Sequence, residues 1–154
     1  MNGIVAKTAF LFFLFFTAES YAFSCKIATT SVNFGNYDVF SNFNLDSTGT
    51  IIVDCNNKEE RPMHVTITLN AGRSGSFNPR QMTSSRGSDR LRYNLYIDPS
   101  HVTIWGDGTG GSSFVTALVD RTSTLKQDVY GRIPPRQNVG VGDYRDVLTA
   151  TVLW

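Results

Sequence analysis

Beyond its first two dozen residues the chain alternates apolar and polar positions in short runs with a period of two, the spacing of strands with one buried face. The clearest run begins after Pro62: Met63, Val65, Ile67 and Leu69 fall on one face, and His64, Thr66, Thr68 and Asn70 on the other. Ile51, Val53 and Cys55 mark the inner face of a strand over 48–55, Leu91, Tyr93, Leu95 and Ile97 another, and Val129, Gly131 and Ile133 a third, ended by Pro134-Pro135. A first strand is predicted over 25–29 with Cys25 and Ile27 inward, continued or restarted by Ser31-Val32-Asn33-Phe34 before a Gly35-Asn36 turn. Val102–Trp105 reads as a short strand and Phe114–Leu118 as a weak one. Residues 40–47 read as a loop, 56–61 as a charged turn and 71–89 as one long Gly/Ser/Arg-rich connection. No helical window of useful length interrupts the series, and about seven strands at this spacing predict an all-β sandwich.

The last run organises the rest. After the turn pair Gly142-Asp143, residues 144–154 read as one strand, with Leu148, Ala150, Val152 and Trp154 on one face and Val147, Thr149, Thr151 and Leu153 on the other. The sequence ends on Trp154 inside this apolar run. A strand of that kind is either paired or leaves an edge that proteins normally cover.

Composition narrows the class. The 154 residues carry a formal charge of +1, from 14 Lys+Arg against 13 Asp+Glu, and the basic residues are scattered along the sequence. That balance argues against a nucleic-acid surface or a polybasic membrane anchor. Residues 1–22 read as a secretory signal peptide: Lys7 before the apolar run Ala9–Phe16, then Ser20-Tyr21-Ala22 as a small-residue cleavage site. The run is too short to span a bilayer, and Glu19 follows it closely. Residues 23–154 are then one exported domain, and in an oxidising compartment the two cysteines, Cys25 and Cys55, read as one disulfide. The loop it closes is worth about 3–4 kcal/mol in the chain-entropy account.

Little of the sequence suggests chemistry. His64 sits on a solvated strand face, and His64 and His101 have no ligand spacing between them. The run Gly106-Asp107-Gly108-Thr109-Gly110-Gly111 has neither the Lys and following helix of a phosphate loop nor the carboxylates of a calcium turn, and reads as a hairpin loop. No Gly-X-Ser-X-Gly or metal-ligand pattern occurs, so neither an enzyme nor a cofactor is expected.

A series of motifs does suggest a family: Asn33-Phe34-Gly35-Asn36-Tyr37, Ile51-Ile52-Val53-Asp54-Cys55, Arg80-Gln81-Met82, Leu91-Arg92-Tyr93-Asn94-Leu95-Tyr96, Trp105-Gly106-Asp107-Gly108, Tyr130-Gly131-Arg132-Ile133 and Gly142-Asp143-Tyr144-Arg145-Asp146. In this order they resemble the spore coat protein U domain, which is similar to subunits of archaic chaperone–usher pili. The resemblance implies an incomplete immunoglobulin-like, pilin-type sandwich that lacks its last strand. A periplasmic chaperone lends that strand, and a neighbouring subunit replaces it after passage through an outer-membrane usher. It also implies a Cys25–Cys55 disulfide, a fimbrial or coat role at the cell surface, as in adhesion and biofilm, and no catalytic residues.

Two expectations follow. The chain is an exported structural subunit whose donor-strand groove is lined by Leu148, Ala150, Val152 and Trp154. With cleavage after Ala22 only Phe23 and Ser24 precede Cys25, an extended reach of about 7 Å, so it is expected to accept a strand but donate none, and to sit at a fibre tip or work outside a fibre as a coat component. The alternative is a ligand-binding adhesin module that uses exposed loops carrying Arg80, Arg86, Trp105 and Asp107.

Overall fold

A computed structural model describes residues 23–58 and 61–154; the signal-peptide expectation for residues 1–22 lies outside them. Among the described residues nine strands form: β1 Ser24–Thr30, β2 Leu45–Asn56, β3 Met63–Leu69, β4 Arg80–Ser84, β5 Arg90–Tyr96, β6 Val115–Val119, β7 Ser123–Ile133, β8 Tyr144–Arg145 and β9 Ala150–Leu153. A single 3-10 turn, Gly72–Ser74, precedes β4. The strands make a six-stranded sheet in the order β1-β2-β7-β5-β4-β8 and a three-stranded sheet in the order β6-β3-β9. Every pairing is antiparallel.

The period-two faces become the core. Ile51, Val53 and Cys55 of β2, Leu91, Tyr93 and Leu95 of β5, and Val129 and Ile133 of β7 point from the larger sheet; Val65, Ile67 and Leu69 of β3 and Val119 of β6 meet them from the smaller one. Burying each large apolar side chain contributes about 1.5–3 kcal/mol. Cys25 faces Cys55 directly across β1 and β2, and the two sulfurs are bonded.

Several local readings change. Residues 71–89 are not one connection, because β4 lies within them. Val102–Trp105 makes only isolated bridges, Tyr96 to Ile104 and Trp105 to Ser113. Ile27 does share the inner face with Cys25, but its side chain is 43% exposed, because β1 is an edge strand with no cover over that position. The final run is two strands, not one: β8 pairs with β4 in the larger sheet, and β9 pairs with β3 in the smaller. The crossover at 146–149 is pinned by polar contacts. Asp146 accepts from the Arg73 and Val147 amides, and Asn70 and Thr149 bond through both the Asn70 amide and the Asn70 side chain.

Residues 31–34 form no strand. They cross the inner face of the larger sheet above two glycines. A Cβ on Gly49 would stand 2.9 Å from Val32 Cγ2, and one on Gly131 2.6 Å from Val32 Cγ1 and 2.7 Å from Phe34 Cζ. Only glycine lets the strap lie this close.

Candidate functional site: an open cleft between the sheets

Beside the strap the sandwich is not filled. A cleft of about 1060 Å³ runs between residues 29–40 on one side and 139–148 with Ala150 on the other. Core side chains make its floor, among them Ile51, Leu69, Met82, Leu91, Val129 and Ile133. Its rim mixes polar residues such as Asn36, Asp38 and Asp143 with large apolar ones: Phe40, Val141 and Val147 all line it and are 82%, 92% and 75% exposed. A soluble domain seldom leaves so much apolar surface together unless something covers it.

The backbone around the cleft is also unfinished. Among the described residues β9 pairs only with β3, and β1 only with β2, so each leaves one edge without a strand partner there. The start of β1 and the end of β9 meet where the rings of Phe23 and Trp154 lie 5.7 Å apart. Tyr37 ties the strap to the turn after β7, donating to the Pro134 carbonyl at 2.9 Å and accepting from the Gln137 amide at 2.9 Å.

The buried polar groups in the cleft are already partnered. Tyr93 donates its hydroxyl to Asp146 at 2.8 Å, and burial, reinforced by that carboxylate, pushes its pKa well above the usual tyrosine range. Among the described residues the buried side-chain polar atoms without a partner are His101 Nδ1 and Ser123 Oγ, and neither residue lines the cleft. The cleft therefore offers apolar area and strand edges, with no buried polar group waiting for a ligand.

The sequence matches the Spore Coat Protein U domain over residues 11–151. The chain belongs to the spore coat protein U domain family. Protein U of Myxococcus xanthus is 31% identical over 134 residues, which cover 79% of this chain and 70% of that protein. Among solved structures this spore coat protein U domain is similar to a chain of the CsuC–CsuE chaperone–tip adhesion subunit pre-assembly complex from the archaic chaperone–usher Csu pili of Acinetobacter baumannii. The TM-score is 0.60 at 21% identity, over 86% of this chain and 40% of that one. HdaB, the Hda pilus minor tip subunit of E. coli, gives 0.41 at 17% identity, over 82% of this chain and 79% of that one. The two-sheet, all-β architecture is similar to that of the matched chain of the Csu complex.

Of the groove residues expected from the sequence, Leu148 and Ala150 line the cleft of the spore coat protein U domain. Val152 lies opposite Ile67 in the smaller sheet, half-buried, and Trp154 is 56% exposed against Phe23. Two of the four expected loop contacts are corrected, because Arg80 and Trp105 are completely buried. Arg80 is held by acceptors from its own chain: the Asn70 carbonyl at 2.9 Å, the Trp105 carbonyl at 2.6 Å and Asn94 Oδ1 at 3.0 Å, with the Phe77 ring 5.1 Å from its guanidinium carbon. Burial draws its pKa down, opposed by Tyr93, Asp146 and Asp107. Trp105 Nε1 donates to the Ile67 carbonyl at 3.0 Å, joining the two sheets. Asp107 is exposed but closes its own turn; hydrogen bonds from the Thr109 hydroxyl and amide hold its carboxyl below the usual range. Arg86 is exposed and lies against Gly142.

Sequence reasoning placed neither the strap nor Asp146 at the site. The Asn33–Tyr37 motif marks the strap. Asp146 falls on the same parity as Leu148 and Ala150, and a carboxylate on an inward face is a signal that the strand breaks there.

Proposed function

We propose that this chain is an exported structural subunit of a surface appendage or coat, and that its cleft receives a strand from another protein. The observation that carries the reading is the cleft itself. Its apolar floor lies between two strand edges that are unpaired among the described residues, and its buried polar groups are satisfied. An extended segment with apolar residues at alternate positions fits that demand: main-chain hydrogen bonds extend β9 or β1, and every second side chain enters the floor. A periplasmic chaperone supplies that strand first and a neighbouring subunit later, after passage through an outer-membrane usher. Export begins with removal of residues 1–22, and the mature chain passes through the periplasm to the cell surface. Its role is assembly, not catalysis.

The chain from Phe23 onward suits an acceptor. Phe23 lies on Trp154 and Cys25 is bonded to Cys55, so this part of the N-terminal segment is fastened to its own sandwich and is not free to fill a neighbour. We place the subunit at a tip for that reason, since internal copies must offer both halves of a head-to-tail contact. Two experiments test the reading. Leu148 lines the cleft and is only half-buried, so Leu148→Asp leaves the fold intact and should abolish co-purification with the cognate chaperone. A variant that still co-purifies at the wild-type ratio overturns the donor-strand reading. Long fibres formed from this chain alone with its chaperone and usher overturn the tip placement.

A further inference from the structure

Away from the cleft, the outer face of the larger sheet gathers four arginines that are dispersed in the sequence. Thr83 pairs with Arg90 on one side and with Arg145 on the other, and Gln81 pairs with Arg92. Paired residues share a face, so these side chains stand together on the surface opposite Met82, Leu91 and Tyr144, the inward positions of the same strands. Arg73, on the 3-10 turn, completes the group. Arg73, Ser74, Gln81, Thr83 and Arg90 line one recess of about 190 Å³, and Arg92 and Arg145 are the strand partners of its Gln81 and Thr83.

None of the four arginines makes an ion pair among the described residues, where the ion pairs are those of Asp46 with His101 and Arg132. Arg90 donates to the Ser88 and Asp89 backbone carbonyls. The nearby carboxylates are turned elsewhere or stand apart. Asp89 accepts from the Gly140 amide, Asp146 accepts from Tyr93 and from the backbone amide of Arg73 without pairing with its guanidinium, and Asp143, two positions from Arg145, forms no ion pair with it. Like charges placed across a sheet face repel. Four on one face with so little compensation call for negative charge from outside the chain.

The geometry points to a binding site for acidic polysaccharide, with sugar carboxylates or sulfates on Arg73 and Arg90, extending toward Arg92 and Arg145. The recess is smaller than a cofactor pocket. Its Thr83 and Gln81 groups can exchange hydrogen bonds with sugar hydroxyls beside the arginine forks, whereas the Ser74 hydroxyl is engaged within its own turn. No aromatic side chain lines it, so it lacks the stacking platform of a single-stranded nucleic-acid site. The recess of Arg73 and Arg90 shares no lining residue with the cleft, although Arg145 also stands at the cleft's edge, so an occupied cleft leaves the recess open, and the inference goes beyond the assembly role.

The exported protein, in whatever assembly it leaves the cell, should bind immobilised heparin-type glycan and polygalacturonate but not neutral dextran, with affinity falling steeply as salt rises. Arg90→Ser with Arg145→Ser should weaken binding at least tenfold, whereas Arg90→Lys with Arg145→Lys should retain most of it. Lys26→Ser with Arg121→Ser removes the same charge elsewhere and should change it less than twofold. An unchanged denaturation midpoint in each variant separates binding from folding; should the serine pair lower the midpoint, the lysine pair against Lys26→Ser with Arg121→Ser decides. Binding no better than to dextran, an equal loss in the Lys26/Arg121 variant, or tighter binding to a single-stranded oligonucleotide than to either glycan overturns the site. A saturating cleft peptide should not compete, which keeps this result independent of the donor-strand reading.

Discussion

Arg80 and Met82 are two positions apart on the inner face of β4, and their surroundings are finished in different ways. The guanidinium of Arg80 is enclosed by acceptors that the chain itself provides: two carbonyls, one side-chain amide oxygen and an aromatic face. Met82 belongs to the floor of a cleft that the described chain leaves open. The difference follows from what each kind of burial requires. A buried cation needs directed partners at fixed distances, so they must be built into the same fold. An apolar floor needs only area removed from water, which is non-directional. Any extended segment with the right alternation can supply it, including one from another molecule.

The comparison breaks first at Arg80. Arg80→Met removes the hydrogen bonds of a charged donor and leaves the buried carbonyl oxygens of the Trp105 backbone and the Asn94 side chain without it, which should cost about 4 kcal/mol or more. Urea denaturation should show a large fall in midpoint, and a change under about 1 kcal/mol would mean that the carbonyls find other partners. Next comes the bond that holds β1 to β2. Replacing Cys25 and Cys55 together by serine should cost about 3–4 kcal/mol and sharply lower the folded yield, and thiol titration of the unreduced wild type should find no free thiol.

The third prediction concerns the open side. A synthetic peptide with apolar residues at alternate positions, at a hundredfold excess over its Kd, should stabilise the domain by about 2.7 kcal/mol. A scrambled peptide of the same composition should do little, because its side chains no longer all face the floor. The smallest effect belongs to a surface pair. The bidentate contact from Arg132 holds the Asp46 carboxyl below its usual range, against a small opposing effect of burial. A folded pKa below the unfolded one means stability that is present above the unfolded value of 3.8 and is lost as pH falls through the folded value. Asp46 is partly exposed, so Asp46→Asn should cost under about 1 kcal/mol at pH 7. The difference from wild type should shrink in denaturation curves taken below about pH 4.

These regions also differ in how well they could be read from sequence. The inward faces of β2, β3, β5 and β7 were legible because uninterrupted alternation has one simple outcome in a sandwich. The cysteine pair was legible from export and number. Arg80 was not: its Gly/Ser/Arg-rich surroundings look solvated, and its acceptors come from Asn70, Asn94 and Trp105, which only tertiary structure brings near. β4 was missed for the same reason, as a short strand whose inward positions are an arginine and a methionine. The break between β8 and β9 had one visible sign, Asp146 among apolar neighbours of its parity. The exposure of Ile27 had none, since alternation gives the direction of a side chain but not whether anything lies over it. The arginine face was hidden because its members are scattered in sequence and only strand register assembles them.

The two tryptophans turn this asymmetry into light. Trp105 is sealed in the interior with its indole N–H on the Ile67 carbonyl, so its emission belongs at short wavelength and beyond the reach of a dissolved quencher. Trp154 is 56% exposed, with its ring tilted against Phe23 where the first and last strands meet. Its emission belongs further to the red and within reach of iodide. One fluorescence spectrum therefore carries two independent signals, the first reporting the finished interior and the second the junction beside the unfinished one.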